Sequence, residues 1–164
     1  MPLKIKILKN STFKDKRGYY WTTWRKGDVK KIKFNHDKFS ISKKNVLRGF
    51  HCDFKSWKLV TCVFGKVILA LINVNKNDKN YLKTKKITLS HNKPKSVLIP
   101  PHYANAYLCL SKNCVFHYKL SYKGQYSDAK KQKSYNWNDP KIKIKWPIKK
   151  PILSKRDKNS VFLK

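Results

Sequence analysis

The 164-residue sequence predicts an all-β fold, a double-sheet jelly roll or closed β-barrel with short helical turns near the C-terminus. Three observations predict it. Short alternating or β-branched runs recur along the chain, separated by Gly, Pro and Asn turn signals. No window of helical length carries a helical apolar period before residues 154–158. The length suits one domain, residues 1–164, whose core needs no metal or disulfide staples.

Taken in order, residues 4–8 alternate lysine with isoleucine and leucine, the period-two pattern of a half-buried strand. In residues 13–23, Asp15, Arg17 and Gly18 form a turn signal that leads into an aromatic strand. Gly27-Asp28 signals another turn, residues 29–34 alternate again, and residues 35–45 form a polar segment before the next strand. Residues 46–58, V-L-R-G-F-H-C-D-F-K-S-W-K, crowd Arg48, His51, Asp53 and Lys58 into a strand-like run. Strict alternation places Arg48, Phe50 and Cys52 on one face and Leu47, Gly49 and His51 on the other. A bulge at Gly49 would bring Arg48 round to the face of His51.

Residues 57–64 and 66–74 are two apolar runs separated by Gly65, which reads as a tight hairpin followed by a loop over residues 75–80. Strands are expected over residues 85–89, 96–99, 106–110 and 114–122, with Pro100-Pro101 between two of them, since proline cannot donate to a ladder.

Hydrophobic residues at 40% and aromatics at 13% exclude a disordered basic tail. The formal net charge of +32 attracts phosphates of any kind. Its lysines are scattered through the chain, which reads as a solvated surface; a nucleic-acid footprint would cluster on one face. The four cysteines, Cys52, Cys62, Cys109 and Cys114, contain no C-x-x-C pair and lie in or beside apolar runs, as buried reduced thiols would. With no apolar leader and no stretch long enough to span a bilayer, a soluble cytoplasmic protein without a membrane partner is expected.

Dinucleotide fingerprints, Walker loops and nucleophile elbows are missing. None of His36, His51, His91, His102 and His117 pairs as H-x-H or H-E-x-x-H, so no metal site is expected. What remains is a set of separated groups, Arg17, Arg48, His51, Lys58, Tyr118 and Asp157. A jelly roll can gather such residues from several strands around a small ligand.

Six strings occur in order: L-R-G-F-H (47–51), W-K-L-V-T-C-V-F-G-K-V (57–67), V-L-I-P-P (97–101), H-Y-K (117–119), W-N-D-P (137–140) and K-W-P-I-K-K-P-I-L-S-K-R-D (145–157). Together they resemble the dTDP-4-dehydrorhamnose 3,5-epimerase family over nearly the whole chain. The resemblance implies a cupin-type jelly roll, a homodimer, a nucleotide-diphosphate sugar as substrate and no cofactor or metal. It places the catalytic base on His51 held by Asp157, the general acid on Tyr118 and the enolate-stabilising cation on Lys58. It also places pyrophosphate contacts on Arg17 and Arg48.

The residue types suit that chemistry. Removing a proton beside a ketone requires a cation near the developing enolate, a base active near neutral pH and a second acid on the opposite face. Two departures stand out. His36 and Lys38 occupy the positions where rhamnose-pathway members carry a glutamine and an asparagine, and Asn105 replaces a histidine. Within the family the sequence looks most like the branch acting on GDP-4-keto-6-deoxy-heptoses in surface-polysaccharide synthesis, with inversion at C3 and C5 or at C3 alone, and the first departure argues against a dTDP-linked sugar. A dTDP-linked sugar is the alternative within the family. A basic nucleic-acid-binding barrel, in which Trp21 and Trp24 would stack on bases, and a catalytically silent sugar-nucleotide binder are the readings from other classes.

Overall fold

The computed structural model describes residues 4–29, 31–122 and 132–163. Two five-stranded antiparallel sheets face each other. The first has the order β1 (Lys6–Lys9), β9 (Lys95–Ile99), β6 (Trp57–Phe64), β11 (Asn113–Ser121), β4 (His36–Lys43). The second has the order β12 (Lys133–Ser134), β5 (Leu47–Cys52), β10 (Tyr103–Cys109), β7 (Lys66–Asn73), β8 (Thr84–Ser90). A separate hairpin of β2 (Thr12–Asp15) and β3 (Gly18–Trp21) stands apart from both, and the C-terminal region holds one turn of helix, α1 (Lys155–Lys158). This is the expected jelly roll with short C-terminal helical structure.

The core forms where the inward positions of the two sheets meet. Val60, Cys62, Val97, Ile99 and Phe116 from the first sheet pack against Val67, Leu69, Leu71 and Tyr107 from the second. The four cysteines are free and buried. Burial pushes the thiols of Cys52 and Cys62 up to about 12, which keeps them protonated and unreactive. Among the described residues no helix is long and apolar enough to cross a membrane.

Three expectations are corrected. The runs flanking Gly65 do not pair as a hairpin: β6 bonds to β9 and β11, whereas β7 bonds to β10 and β8. The chain changes sheet at Gly65, whose φ of +78° makes the corner. β7 is buried at every position after Lys66, so it must lie between two strands of its own sheet, with β6 facing it. The alternating residues 29–34, of which Lys30 lies outside the described residues, form no strand. Val29, Ile32 and Phe34 instead pack with Trp24, Trp57, Leu59 and Leu98 in a small cluster outside the barrel. Conversely, the polar segment before residue 46 is largely strand β4, an edge strand that presents alternate residues outward and therefore carries few apolar side chains.

Candidate active site

The bulge expected at Gly49 is present and organises one wall of a pocket. Between the pairs Asn105↔His51 and Tyr107↔Arg48, strand β10 contributes one residue and β5 contributes two, Gly49 and Phe50. Asn105 and Tyr107 are two apart and share a face, so Arg48 and His51 opposite them share it too. Only glycine fits here: φ is +116°, and an added Cβ would lie 2.7 Å from Ala106 Cα.

His51 and Asp157 are far apart in sequence, yet His51 Nε2 lies 2.6 Å from Asp157 Oδ1. The tail is brought there by backbone pairing alongside β5, through Leu47 N to Ile152 O at 3.0 Å and Ile152 N to Asn45 O at 2.9 Å. Ser154 then caps α1, its Oγ accepting from Asp157 N at 3.1 Å and donating to Asp157 Oδ2 at 2.9 Å. Both carboxylate oxygens are thereby held, and Asp157 is only 2% exposed.

Burial pushes the His51 imidazolium below its ordinary value, with Arg156 and Lys58 adding to the effect against the pull of Asp157. Burial works to raise Asp157, but bonds to His51 and Ser154 outweigh it and hold the carboxyl below its usual range. The pair at neutral pH is a neutral imidazole on a carboxylate. Asp157 accepts the Nε2 proton, which leaves the Nδ1 lone pair to take one.

Lys58, on β6 of the facing sheet, is 4% exposed. Its Nζ donates to Asn105 Oδ1 at 2.8 Å and to His51 O at 3.3 Å. Among the described residues no carboxylate lies within ion-pair distance of it, and burial lowers its pKa. Asn105 thus does the work of aiming the ammonium. Tyr118, on β11, is part-buried and sits edge-on to Phe116 at 4.9 Å. Burial raises its hydroxyl well above the ordinary tyrosine value, so it is protonated at neutral pH.

These residues line one cavity of about 290 Å³ between the sheets, together with Lys38, Ser40, Gln132 and Arg156. Four basic side chains, Lys38, Arg48, Lys58 and Arg156, therefore line a space to which, among the described residues, no carboxylate contributes. Such a space favours an anionic ligand. Of the residues expected from the sequence, His51, Lys58, Tyr118, Arg48, Lys38 and Asn105 line it, and Asp157 supports it from behind. Two others do not. Arg17 sits at the tip of the β2–β3 hairpin, its side chain 81% exposed and paired with Asp15 at 2.6 Å. His36 lies at the outer end of β4, with Nδ1 3.0 Å from Asn35 Oδ1 and its ring edge-on to Tyr122. Asp53 has a structural role, accepting from Lys55 N and Ser56 N to fold the turn before β6.

Sequence reading missed Arg156, whose Nε donates to Ser134 Oγ at 2.8 Å and Nη2 to Gln132 O at 3.1 Å. Its adjacency to Asp157 in S-K-R-D was the available signal. The two tryptophans considered for base stacking are committed to packing: Trp24 meets Phe34 edge-on and Trp21 stacks on Tyr19. Among the described residues no three His, Cys, Asp or Glu side chains gather as a metal site would need.

Comparison with known proteins agrees with the geometry. The family model described as dTDP-4-dehydrorhamnose 3,5-epimerase matches residues 3–164. The Salmonella typhimurium dTDP-4-dehydrorhamnose 3,5-epimerase is 30% identical over 93% of this chain and 87% of its own. The crystal structure of the Elizabethkingia anophelis enzyme of the same name superposes with a TM-score of 0.84 at 27% identity, over 99% of this chain and 93% of that one. The Legionella pneumophila epimerase, solved in complex with dTDP-4-keto-L-rhamnose, gives 0.87 at 25% identity, over 96% and 87%. The chain is an isomerase that belongs to the dTDP-4-dehydrorhamnose 3,5-epimerase family.

Proposed function

We propose that this protein epimerises C3 and C5 of a dTDP-linked 4-keto-6-deoxy sugar without a cofactor. The observation that carries the reading is the opposition of a base and an acid. His51 projects from one sheet, and Tyr118 and Lys58 from the other, around a single cationic cavity. Inversion at carbon needs a proton removed from one face and returned to the other.

His51 Nδ1 takes the proton beside the ketone, and Asp157 stabilises the imidazolium that forms. Electron density moves to the C4 oxygen, where Lys58 Nζ meets the developing enolate. Tyr118 then gives its hydroxyl proton to the carbon from the other side. Arg48, Arg156 and Lys38 are placed to hold the diphosphate, with Arg as the better bidentate partner.

The expectation of a GDP-linked heptose gives way to the dTDP reading. It came from a resemblance to that branch, and of the two residues that argued against dTDP, His36 and Lys38, only Lys38 lines the cavity. The Legionella pneumophila relative was solved in complex with dTDP-4-keto-L-rhamnose. Arg17 can meet a diphosphate only in the cavity of a second copy, since its own hairpin holds it away. A homodimer is therefore part of this reading, with the exposed Phe13 and Tyr20 of that hairpin as surface for the partner to cover. A reducing, cytoplasmic setting would keep the four buried thiols free.

The test is solvent exchange. In D2O the wild-type protein should place deuterium at C3 and C5 of a dTDP-linked 4-keto-6-deoxyhexose and yield the inverted product. A GDP-linked counterpart should bind at least about tenfold more weakly, roughly 1.4 kcal/mol. If neither sugar nucleotide exchanges, the assignment fails. Faster turnover of the GDP-linked sugar would restore the heptose reading. Sedimentation of the wild type as a monomer at active concentrations would remove the dimer.

A further inference from the structure

Behind the wall of the cavity lies a line of hydroxyl groups that the reaction above leaves unused. Arg48 Nε donates to Ser42 Oγ at 3.0 Å. Ser42 Oγ lies 2.8 Å from Tyr107 Oη, and Tyr107 Oη lies 2.8 Å from Ser40 Oγ. Ser40 and Tyr118 both line the cavity. The register explains the meeting. Ser40 pairs with Phe116 and Lys38 with Tyr118, so Ser40 is the diagonal neighbour of Tyr118 on the inner face. Tyr107 is fully buried and its ring stacks on Phe116 at 4.4 Å, which in turn meets Tyr118.

The inventory of donors fixes one end of this line: a guanidinium nitrogen only donates, so Ser42 must accept from Arg48. Ser42 keeps its own proton to give, and in one of the two directions open to the line it gives it to Tyr107, and Tyr107 gives its proton to Ser40. In that direction Ser40 has one proton left, and its Oγ stands at the long distance of 3.5 Å from the Phe116 carbonyl and beside Tyr118 in the register. If it goes to Tyr118, the Tyr118 oxygen accepts from behind, and its own proton turns towards the cavity.

We propose that Ser42, Tyr107 and Ser40 are positioning residues: a hydroxyl chain polarised by Arg48 aims the Tyr118 proton at the substrate and stabilises the oxygen once that proton has left. The proposal rests on the epimerase reading. In the step concerned, the Tyr118 O–H bond breaks, a C–H bond forms at the enolate carbon, and the O–H electron pair remains on Tyr118. The Ser40 hydroxyl then donates to a tyrosinate, a stronger bond than the neutral one it replaces. The chain does not conduct the proton, because Arg48 keeps its own. Before each further inversion Tyr118 regains a proton from solvent and His51 gives its proton up to solvent. The arrangement resolves a tension in the site, since burial alone makes Tyr118 a reluctant acid.

The experiment separates proton removal from proton return. Tyr107→Phe keeps the ring and its stack and removes only the hydroxyl. With a dTDP-linked 4-keto-6-deoxyhexose in D2O, two rates are read in wild type, Tyr107→Phe, Ser42→Ala and Ser42→Thr. One is exchange with retained configuration, which needs His51, Asp157 and Lys58 but not the Tyr118 proton, and the other is formation of the inverted product. Tyr107→Phe and Ser42→Ala should lower inversion about tenfold, a fraction of what a general acid contributes in full, with KM and retentive exchange within about twofold. Ser42→Thr, which keeps a hydroxyl, should restore inversion. An unchanged inversion rate in Tyr107→Phe overturns the chain, and so does an equal fall in both rates, which would mark a packing defect. A wild-type protein that exchanges nothing overturns the epimerase reading itself, and the chain with it.

Discussion

His51 Nε2 and Asp157 Oδ1 lie 2.6 Å apart, and the carboxylate is itself bound on its other oxygen by Ser154. That double hold makes Asp157→Asn an informative substitution. An amide can donate to Nε2, which would turn the imidazole to the tautomer that carries its proton on Nδ1. The expected fall in kcat is about 10²- to 10⁴-fold, with the fold intact by circular dichroism. A variant with near wild-type turnover would remove the pair from the mechanism.

The same pair sets the pH dependence. His51 must be neutral to accept a proton, and burial holds its pKa below 6.5. The acid limb of kcat/KM should therefore lie below pH 6.5. An acid limb above that value would contradict the assignment. Stability follows the same sign. Asp157 is depressed in the folded state, so its contribution is present above the ordinary carboxylate value and is lost as pH falls through its folded pKa. His51 is also depressed, so the unfolded chain binds its proton first and stability falls as pH drops below 6.5. Both act together, and thermal midpoints should decline from pH 7 towards pH 4.

Lys58→Met tests the enolate cation. Turnover should fall about 10²- to 10³-fold, the range for losing one charge-stabilising donor. Stability should barely move. Removing a buried ammonium that, among the described residues, no carboxylate pairs with directly relieves a desolvation cost, whereas Asn105 loses its partner, and the two offset to within about 1 kcal/mol. Urea unfolding midpoints read the stability term, and a large destabilisation would mean that Lys58 is structural.

Gly49→Ala should remove the bulge. The added Cβ meets the backbone of β10 at a positive φ, and a cost of about 3 kcal/mol or more is expected. Activity should be lost along with the thermal midpoint. A stable, active Gly49→Ala protein would show that the shared face of Arg48 and His51 does not depend on this glycine.

Much of the fold was legible because each jelly-roll strand has its own local signature. The lysine–isoleucine alternation of β1, the apolar runs of β6 and β7 and the prolines after β9 all mark strands without reference to a partner. Which strands pair is not a local property. Gly65 looks like a hairpin turn from either side, and only the burial of β7 on both faces decides that it is a corner between sheets. Residues 29–34 alternate as a strand would, yet with no ladder to join they pack as a cluster around Trp24.

By itself the sequence determined the class of fold, the family, and the chemical types at the site: an imidazole, a carboxylate, an ammonium, a phenol and two arginines. It also determined the bulge, because a glycine between Arg48 and His51 can take a φ that other residues avoid. Only the tertiary structure decided which of these groups meet. It brought Asp157 to His51 across the whole chain, left Arg17 and His36 outside the cavity, recruited Arg156, and joined Arg48, Ser42, Tyr107 and Ser40 in one line of hydrogen bonds. The physical reason is that strand periodicity fixes the side to which a residue points, whereas proximity across two sheets depends on register and on where the tail docks.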